Sequence, residues 1–141
     1  MQAPRSLSRL LGFFRRAAPT PSELGSHWEK VAAKALRKEG LSIVARNWRH
    51  KGGRGEIDIV AKDGESLVFI EVRSRSMTAL VGGYHSITRH KKAVLRDTCN
   101  AYMNLMRKKP PFHRFDVVEI SYRSSSDFEL RHFRNVPLFS R

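Results

Sequence analysis

The stretch from Gly55 to Arg75, GEIDIVAKDGESLVFIEVRSR, constrains the fold more than any other part of the chain. Two runs that alternate apolar and polar residues flank Asp63-Gly64, a dipeptide that favours a two-residue hairpin turn. With Asp63-Gly64 as the turn, Lys62 faces Glu65, Ile59 faces Val68 and Ile57 faces Ile70. Val72 extends that apolar side, which is expected to look into the core. Alternation places Glu56, Asp58 and Val60 on the other face, together with Phe69, Glu71 and Arg73. In this register Glu56 lies across from Glu71. Asp58 lies across from Phe69 and one diagonal step from Glu71.

Like charges directly opposed on paired strands are destabilising. The chain is poor in acids, with 13 Asp and Glu against 27 Lys and Arg, yet three of the acids gather on this one face. Two readings follow. Either Arg73 and nearby lysines neutralise the acids on a solvated face, or the carboxylates hold a hard divalent cation, Mg²⁺ or Mn²⁺. Phe69 among the acids implies a covered face and favours the cation. The metal candidates are Glu56, Asp58 and Glu71.

The flanking segments alternate helix and strand signals. In TPSELGSHWEKVAAKALRKEG, Thr20 is an N-cap, Pro21 opens the helix and Glu23 completes a capping box. Leu24, Trp28, Val31, Ala32, Ala35 and Leu36 form its apolar stripe, and Gly40 stops it. LSIVARNWR reads as a strand and HKGGRG as a basic, glycine-rich loop. After the hairpin, MTALVGGYHS is a loop. A second helix is expected over residues 87–107, with Ile87, Val94, Thr98, Ala101, Tyr102 and Leu105 inward. FHRFDVVEISY is a strand, RSSSD a turn, and FELRHFRNV a last, edge strand. The order α-β-β-β-α-β-β describes a mixed α/β domain.

The chain has 141 residues, a formal charge of +14 and a sequence pI near 10.9. One domain is the expectation. A charge excess of this size speaks of polyanionic partners, with nucleic acid first and anionic membrane second. No apolar run approaches the roughly 20 residues of a transmembrane segment. The lone Cys99 excludes an internal disulfide and fits a reducing cytoplasm. The histidines form no zinc signature, and HKGGRGE lacks the ending of a nucleotide-binding loop. Residues 1–20 carry four Arg and no acid. They read as a flexible basic arm ahead of a domain over 21–141, or as an amphipathic targeting or membrane-surface helix built on Leu7, Leu10, Leu11 and Phe14.

The hairpin, LGSHWEKVAAKALRKEGLSIVARNWR before it, and ITRHKKAVL and FHRFDVVEI after it resemble the YraN family of small bacterial proteins. The likeness covers about Leu24 to Tyr122, with a weaker tail at HFRNV. That family in turn resembles the restriction-endonuclease-like nucleases, and among them the archaeal Holliday-junction resolvases. The resemblance implies a mixed sheet flanked by helices and a metal-dependent endonuclease acting on branched or structured DNA. It implies that Asp58 and the Glu71-Val72-Arg73 tripeptide are the nuclease motif, and that Glu29 is an added acid on the first helix. Asp58, Glu71 and Glu29 would hold Mg²⁺ or Mn²⁺. A homodimer follows by analogy with the resolvases. Asp116 in RFDVV is read as supportive.

Arg73 stands where such nucleases carry Lys. An Arg cannot lose its proton, so it is no general base. It can still clamp the phosphate or offset transition-state charge. Arg46, Arg49, His50, Lys51 and Arg54 before the hairpin, Arg75 after it, and Arg89, Lys91 and Lys92 at the second helix suit a phosphate backbone tracked past the acids. They carry no evident base-reading pattern, so DNA shape is the expected target. The competing reading is a non-catalytic nucleic-acid-binding protein that keeps the nuclease fold.

Overall fold

A computed structural model describes residues 17–78 and 87–139. The basic arm before residue 17, and the part of the MTALVGGYHS loop over residues 79–86, lie outside the described residues. The element order is α1 (Pro21–Lys38), β1 (Ser42–Arg49), β2 (Glu56–Asp63), β3 (Ser66–Ser76), α2 (Arg89–Leu105), β4 (Phe112–Tyr122) and β5 (Phe128–Phe133). This is the α-β-β-β-α-β-β order expected from the sequence.

Helix α1 begins as its sequence dictates. The Thr20 hydroxyl accepts the Glu23 amide at 3.2 Å, and the Thr20 amide donates to the Glu23 carboxylate at 2.7 Å. Two amides that the helix itself cannot satisfy are thereby paired. Gly40, at φ +98°, ends the helix in the left-handed region. Helix α2 is capped by Thr88, whose hydroxyl accepts the Lys91 amide at 3.1 Å, and it is shorter at both ends than expected.

The five strands lie in the order β1-β2-β3-β4-β5. All neighbours are antiparallel except β3 and β4, which run parallel from Ser66↔Phe112 to Ser76↔Tyr122. A parallel pair needs a crossover, and α2 lies within it. Each face of the sheet is covered. Trp28, Ala32, Ala33 and Leu36 of α1 pack on Ile59, Ala61, Val68, Ile70, Val118 and Ile120. Leu95 and Cys99 of α2, with Leu138 of the C-terminal segment, pack on Ile57, Val60, Leu67, Phe69, Phe115 and Val117. The face that carries the acids is therefore also a core face. Burying a side chain such as Phe69 contributes about 1.5–3 kcal/mol.

The hairpin register differs from the expected one. Asp63 pairs with Ser66, and Ile59 with Ile70, so the turn residues are Gly64 and Glu65. Gly64 has φ +58°, a conformation glycine adopts freely. Putting the glycine first in the turn moves the pairing by two residues. A two-residue slip preserves every face, whereas a one-residue slip would have inverted them. What changes is who faces whom: Val60, not Asp58, is opposite Phe69, and Glu56 is not opposite Glu71.

The faces of β1 and of the start of β2 do not follow strict alternation. Arg46 turns to α1 while Trp48, two residues on, packs beside Tyr102 of α2. Asn47 between them has φ +51°, which reverses the alternation of β1, and Asn tolerates that region. Ile57, the register partner of Trp48, joins the α2 side instead of lying with Ile59. On α2 the buried residues are Leu95, Thr98 and Cys99, so the inward face is rotated by about one position and Leu105 is exposed. The last strand ends at Phe133, and Val136 folds back to donate its amide to Phe115.

Candidate active site

Strands β2 and β3 separate at one end. Their ladder reaches Ile59↔Ile70, while β2 stays paired with β1 as far as Arg49↔Glu56 and β3 stays paired with β4 as far as Ser76↔Tyr122. Asp58 lies at this fork, and its Oδ2 accepts the Val72 amide at 2.8 Å. A side chain thus takes the hydrogen bond that a further rung would have used. The fork opens a cleft of ≈ 560 Å³ lined by Glu29, Glu56, Asp58, Glu71, Arg54, Gly55, His90, Lys91, Val94 and Leu95.

The four acids singled out in the sequence all line this cleft. Carboxylate oxygens of Glu29, Glu56 and Asp58 lie within 4.8 Å of one another. Glu71 is not in that triplet but lines the same cleft beside Asp58. Burial pushes the Asp58 carboxyl up to about 8, and the negative charge of Glu71 adds to this, with Glu29 adding less. Burial also raises Glu29, against a hydrogen bond from Asn47 that lowers it.

The basic residues divide into two sets. Lys91 Nζ lies 2.5 Å from Glu71 Oε1, Arg49 lies 2.6 Å from Glu56, and Arg46 lies 4.0 Å from Glu29. These three cations meet the acids directly. Arg54 lines the cleft, whereas Lys51 and Arg89 are exposed and Lys92 is half-buried. Arg75 lies with Glu119, Glu129 and Arg131 around a separate polar depression. Arg73 is half-buried on β3, in register with Glu119, and does not line the cleft.

Three contributors had no role in the sequence reading of the site. Asn47 supplies a hydrogen bond to Glu29, and its only sequence signal is that Asn tolerates a left-handed backbone. The Val72 amide holds Asp58, which no side-chain pattern reveals. Gly55 lets the start of β2 pack against α2: a Cβ there would collide with Thr98 Oγ1 and lie 2.7 Å from Val94 Cγ1. Beyond Gly55 a second hollow of ≈ 320 Å³ runs on past His50, Gly52, Gly53 and Arg54 to His90 and Asp97.

Asp116 is not among the residues that line the cleft. It is fully buried and accepts from Arg114 Nε at 3.0 Å, the Asn135 amide at 2.9 Å and His132 Nε2 at 2.8 Å. Burial alone would raise Asp116, but these donors outweigh it and hold the carboxyl below its ordinary value. His132 is raised, first by its hydrogen bond to Asp116 and then by Glu39, which lies 2.7 Å from Nδ1. Arg114 and Arg134 both reach Asp63. The network ties the end of α1, the hairpin turn, β4 and β5 together. Cys99 is buried beneath α2, and burial pushes its thiol up.

The model of the uncharacterised protein family UPF0102 matches residues 28–120. The chain belongs to that family. It is 40% identical over 116 residues to a UPF0102 protein of Carboxydothermus hydrogenoformans, covering 81% of this chain and 94% of that one. A UPF0102 protein of Beutenbergia cavernae is 37% identical over 113 residues, covering 80% and 94%. One from Vibrio cholerae is 39% identical over 98 residues, covering 68% and 79%. The family is the one that the sequence motifs resemble under the name YraN. The matched span includes Glu29, Glu56, Asp58, Glu71 and Lys91.

The donors fit Mg²⁺ or Mn²⁺. Both ions prefer hard oxygen ligands, and three carboxylates converge here without a thiol or imidazole among them. The raised Asp58 carboxyl marks a crowding of negative charge that a divalent cation would relieve. Among the described residues, no helix is long and apolar enough to cross a membrane.

Proposed function

We propose that this UPF0102 protein is a metal-dependent endonuclease acting on branched or otherwise structured DNA. The observation that carries the reading is the convergence of Glu29, Glu56 and Asp58 beside Glu71 at the fork of the sheet, within a chain of charge +14. A bound Mg²⁺ or Mn²⁺ would supply an activated water and stabilise charge on the scissile phosphate. Glu29, Glu56 and Asp58 would hold the ion, and one oxygen of Glu71 would join them. Glu71 accepts a hydrogen bond from the attacking water and aims it at phosphorus. Arg54, with Lys51, Arg89 and Lys92 around the cleft, holds the phosphate backbone through contacts that ignore base identity. Hydrolysis adds the water oxygen to phosphorus and breaks one phosphorus–oxygen ester bond. The water's proton leaves through the carboxylates to solvent, and the departing oxygen takes a proton from solvent. The products are a phosphomonoester and an alcohol.

A non-catalytic nucleic-acid binder on the same fold is the second reading. The pairing of Glu29, Glu56 and Glu71 with Arg46, Arg49 and Lys91 favours it, because the acids are then already neutralised. Incubating the protein with flaps, forks, four-way junctions and linear duplex, in Mn²⁺, Mg²⁺ or EDTA, separates the two. The nuclease reading expects cleavage of branched substrates in the metal arms only. Tight binding in EDTA with no cleavage in any arm contradicts it and leaves the binder.

A further inference from the structure

The cation paired with Glu71 comes from a different element than the sequence motif suggests. Arg73 occupies the lysine place of the Glu-x-Lys pattern, yet it does not line the cleft and lies in register with Glu119. Lys91 does line it. Its Nζ lies 2.5 Å from Glu71 Oε1, although the two residues are twenty positions apart and on different elements. The side chain of Lys91 is 52% exposed and that of Glu71 only 7%. The ammonium therefore reaches from the solvent side of the cleft to a buried carboxylate.

Two features hold it there. The first turn of α2 contains no acid, so Lys91 has none in that turn to pair with. The near-contact of Gly55 with Val94 and Thr98 fixes α2 against the start of β2, and with it the reach of Lys91 to Glu71. Arg54 and His90 flank the same opening.

We propose that Lys91, and not Arg73, is the catalytic cation of the site. It is paired with Glu71 in the metal-free chain and turns onto the scissile phosphate of DNA when Glu71 serves the metal and water. This rests on the nuclease reading. Lys91 stays an ammonium throughout. It donates to a non-bridging phosphate oxygen as water adds to phosphorus and one ester bond breaks. The water's proton goes to solvent through Glu71, and solvent protonates the leaving oxygen. A preorganised donor at developing charge acts on the transition state more than on the bound substrate.

The test compares wild type with Lys91→Met and Lys91→Arg on a fluorescent DNA fork, with Mn²⁺ binding measured separately without DNA. Lys91→Met is expected to lower kcat about a hundredfold and to leave KM within about twofold. Its Mn²⁺ affinity without DNA should match or exceed that of wild type, because a competitor for Glu71 is gone. Lys91→Arg keeps the charge and should recover at least about a tenth of the wild-type rate. Wild-type kcat in Lys91→Met overturns the proposal, as does a rise in KM alone or a loss of Mn²⁺ binding. These three outcomes leave the nuclease reading standing. A wild type that cleaves nothing removes both.

Discussion

Asp58 Oδ2 accepts the Val72 amide at 2.8 Å, at the point where the β2–β3 ladder stops. One side chain thus both ends the ladder and lies in the cleft with Glu29, Glu56 and Glu71. Asp58 must lose its proton to serve as a ligand. Its carboxyl is raised to about 8 without metal, so Mn²⁺ affinity should climb with pH up to about 8 and level off above. The linkage has a second face. The folded chain keeps a proton on Asp58 that the unfolded chain loses near its ordinary value of 3.8, so the associated stability is present below that value and lost as pH rises through about 8. Calorimetric titration with Mn²⁺ and thermal melting across pH 5–9 read the two effects. Asp58→Asn should flatten both curves, and unchanged curves in that variant would count against Asp58 as the titrating group.

The Asp116 network predicts a different pH response. His132 is raised by its bonds to Asp116 and Glu39, so its stabilisation is present below about 6.5 and lost as pH climbs through its raised value. Asp116 and Glu39 are held low by the same partners. Their contribution is present above their ordinary values and lost as pH falls through the lowered ones. Removing one member leaves another charge buried without its partner. His132→Ala should cost about 3–5 kcal/mol near neutral pH by denaturant unfolding. Wild-type stability in that variant would mean that the network is incidental.

Gly55 is a packing requirement of the cleft wall. Gly55→Ala places a methyl against Thr98 and Val94 and should destabilise by about 1–3 kcal/mol. If α2 shifts to make room, the Glu71–Lys91 pair moves with it. A crystal structure of the variant would show this displacement, and an unmoved helix with unchanged stability would refute the account.

DNA binding in EDTA should weaken steeply with salt. Arg54 is not among the cations paired with the cleft acids, whereas Arg49 is engaged by Glu56. Arg54→Ala is expected to reduce the slope of log affinity against log salt by about 1. Arg49→Ala should change it less. Fluorescence anisotropy with a labelled fork at several salt concentrations measures both slopes. Equal slopes for the two variants would show that ion pairing with the acids does not govern the contacts.

The sequence made the element order legible because its punctuation is local. Thr20, Pro21 and Glu23 announce α1, and their capping bonds form as written. The gathering of acids on one hairpin face was legible for a different reason. The turn slipped by two residues, and an even slip keeps faces intact. The expected opposition of Glu56 and Glu71 was wrong, because Gly64 takes the first place in the turn and not the second. The Glu71–Lys91 contact was not legible, because only the crossover from β3 through α2 brings the two together. The reversal at Asn47 and the rotation of α2 likewise belong to tertiary packing, to which local periodicity is blind.

Metal-dependent cleavage is the role proposed for the carboxylates at the fork. Its most direct test is Mn²⁺-dependent cleavage of a labelled fork or four-way junction by wild type and by the Asp58→Ala/Glu71→Ala double variant, purified side by side. Cleavage by wild type, with a fall of at least about a thousandfold in the double variant, is the predicted result, since each acid acts on the transition state. Equal rates in the two proteins, or none in either, would contradict it.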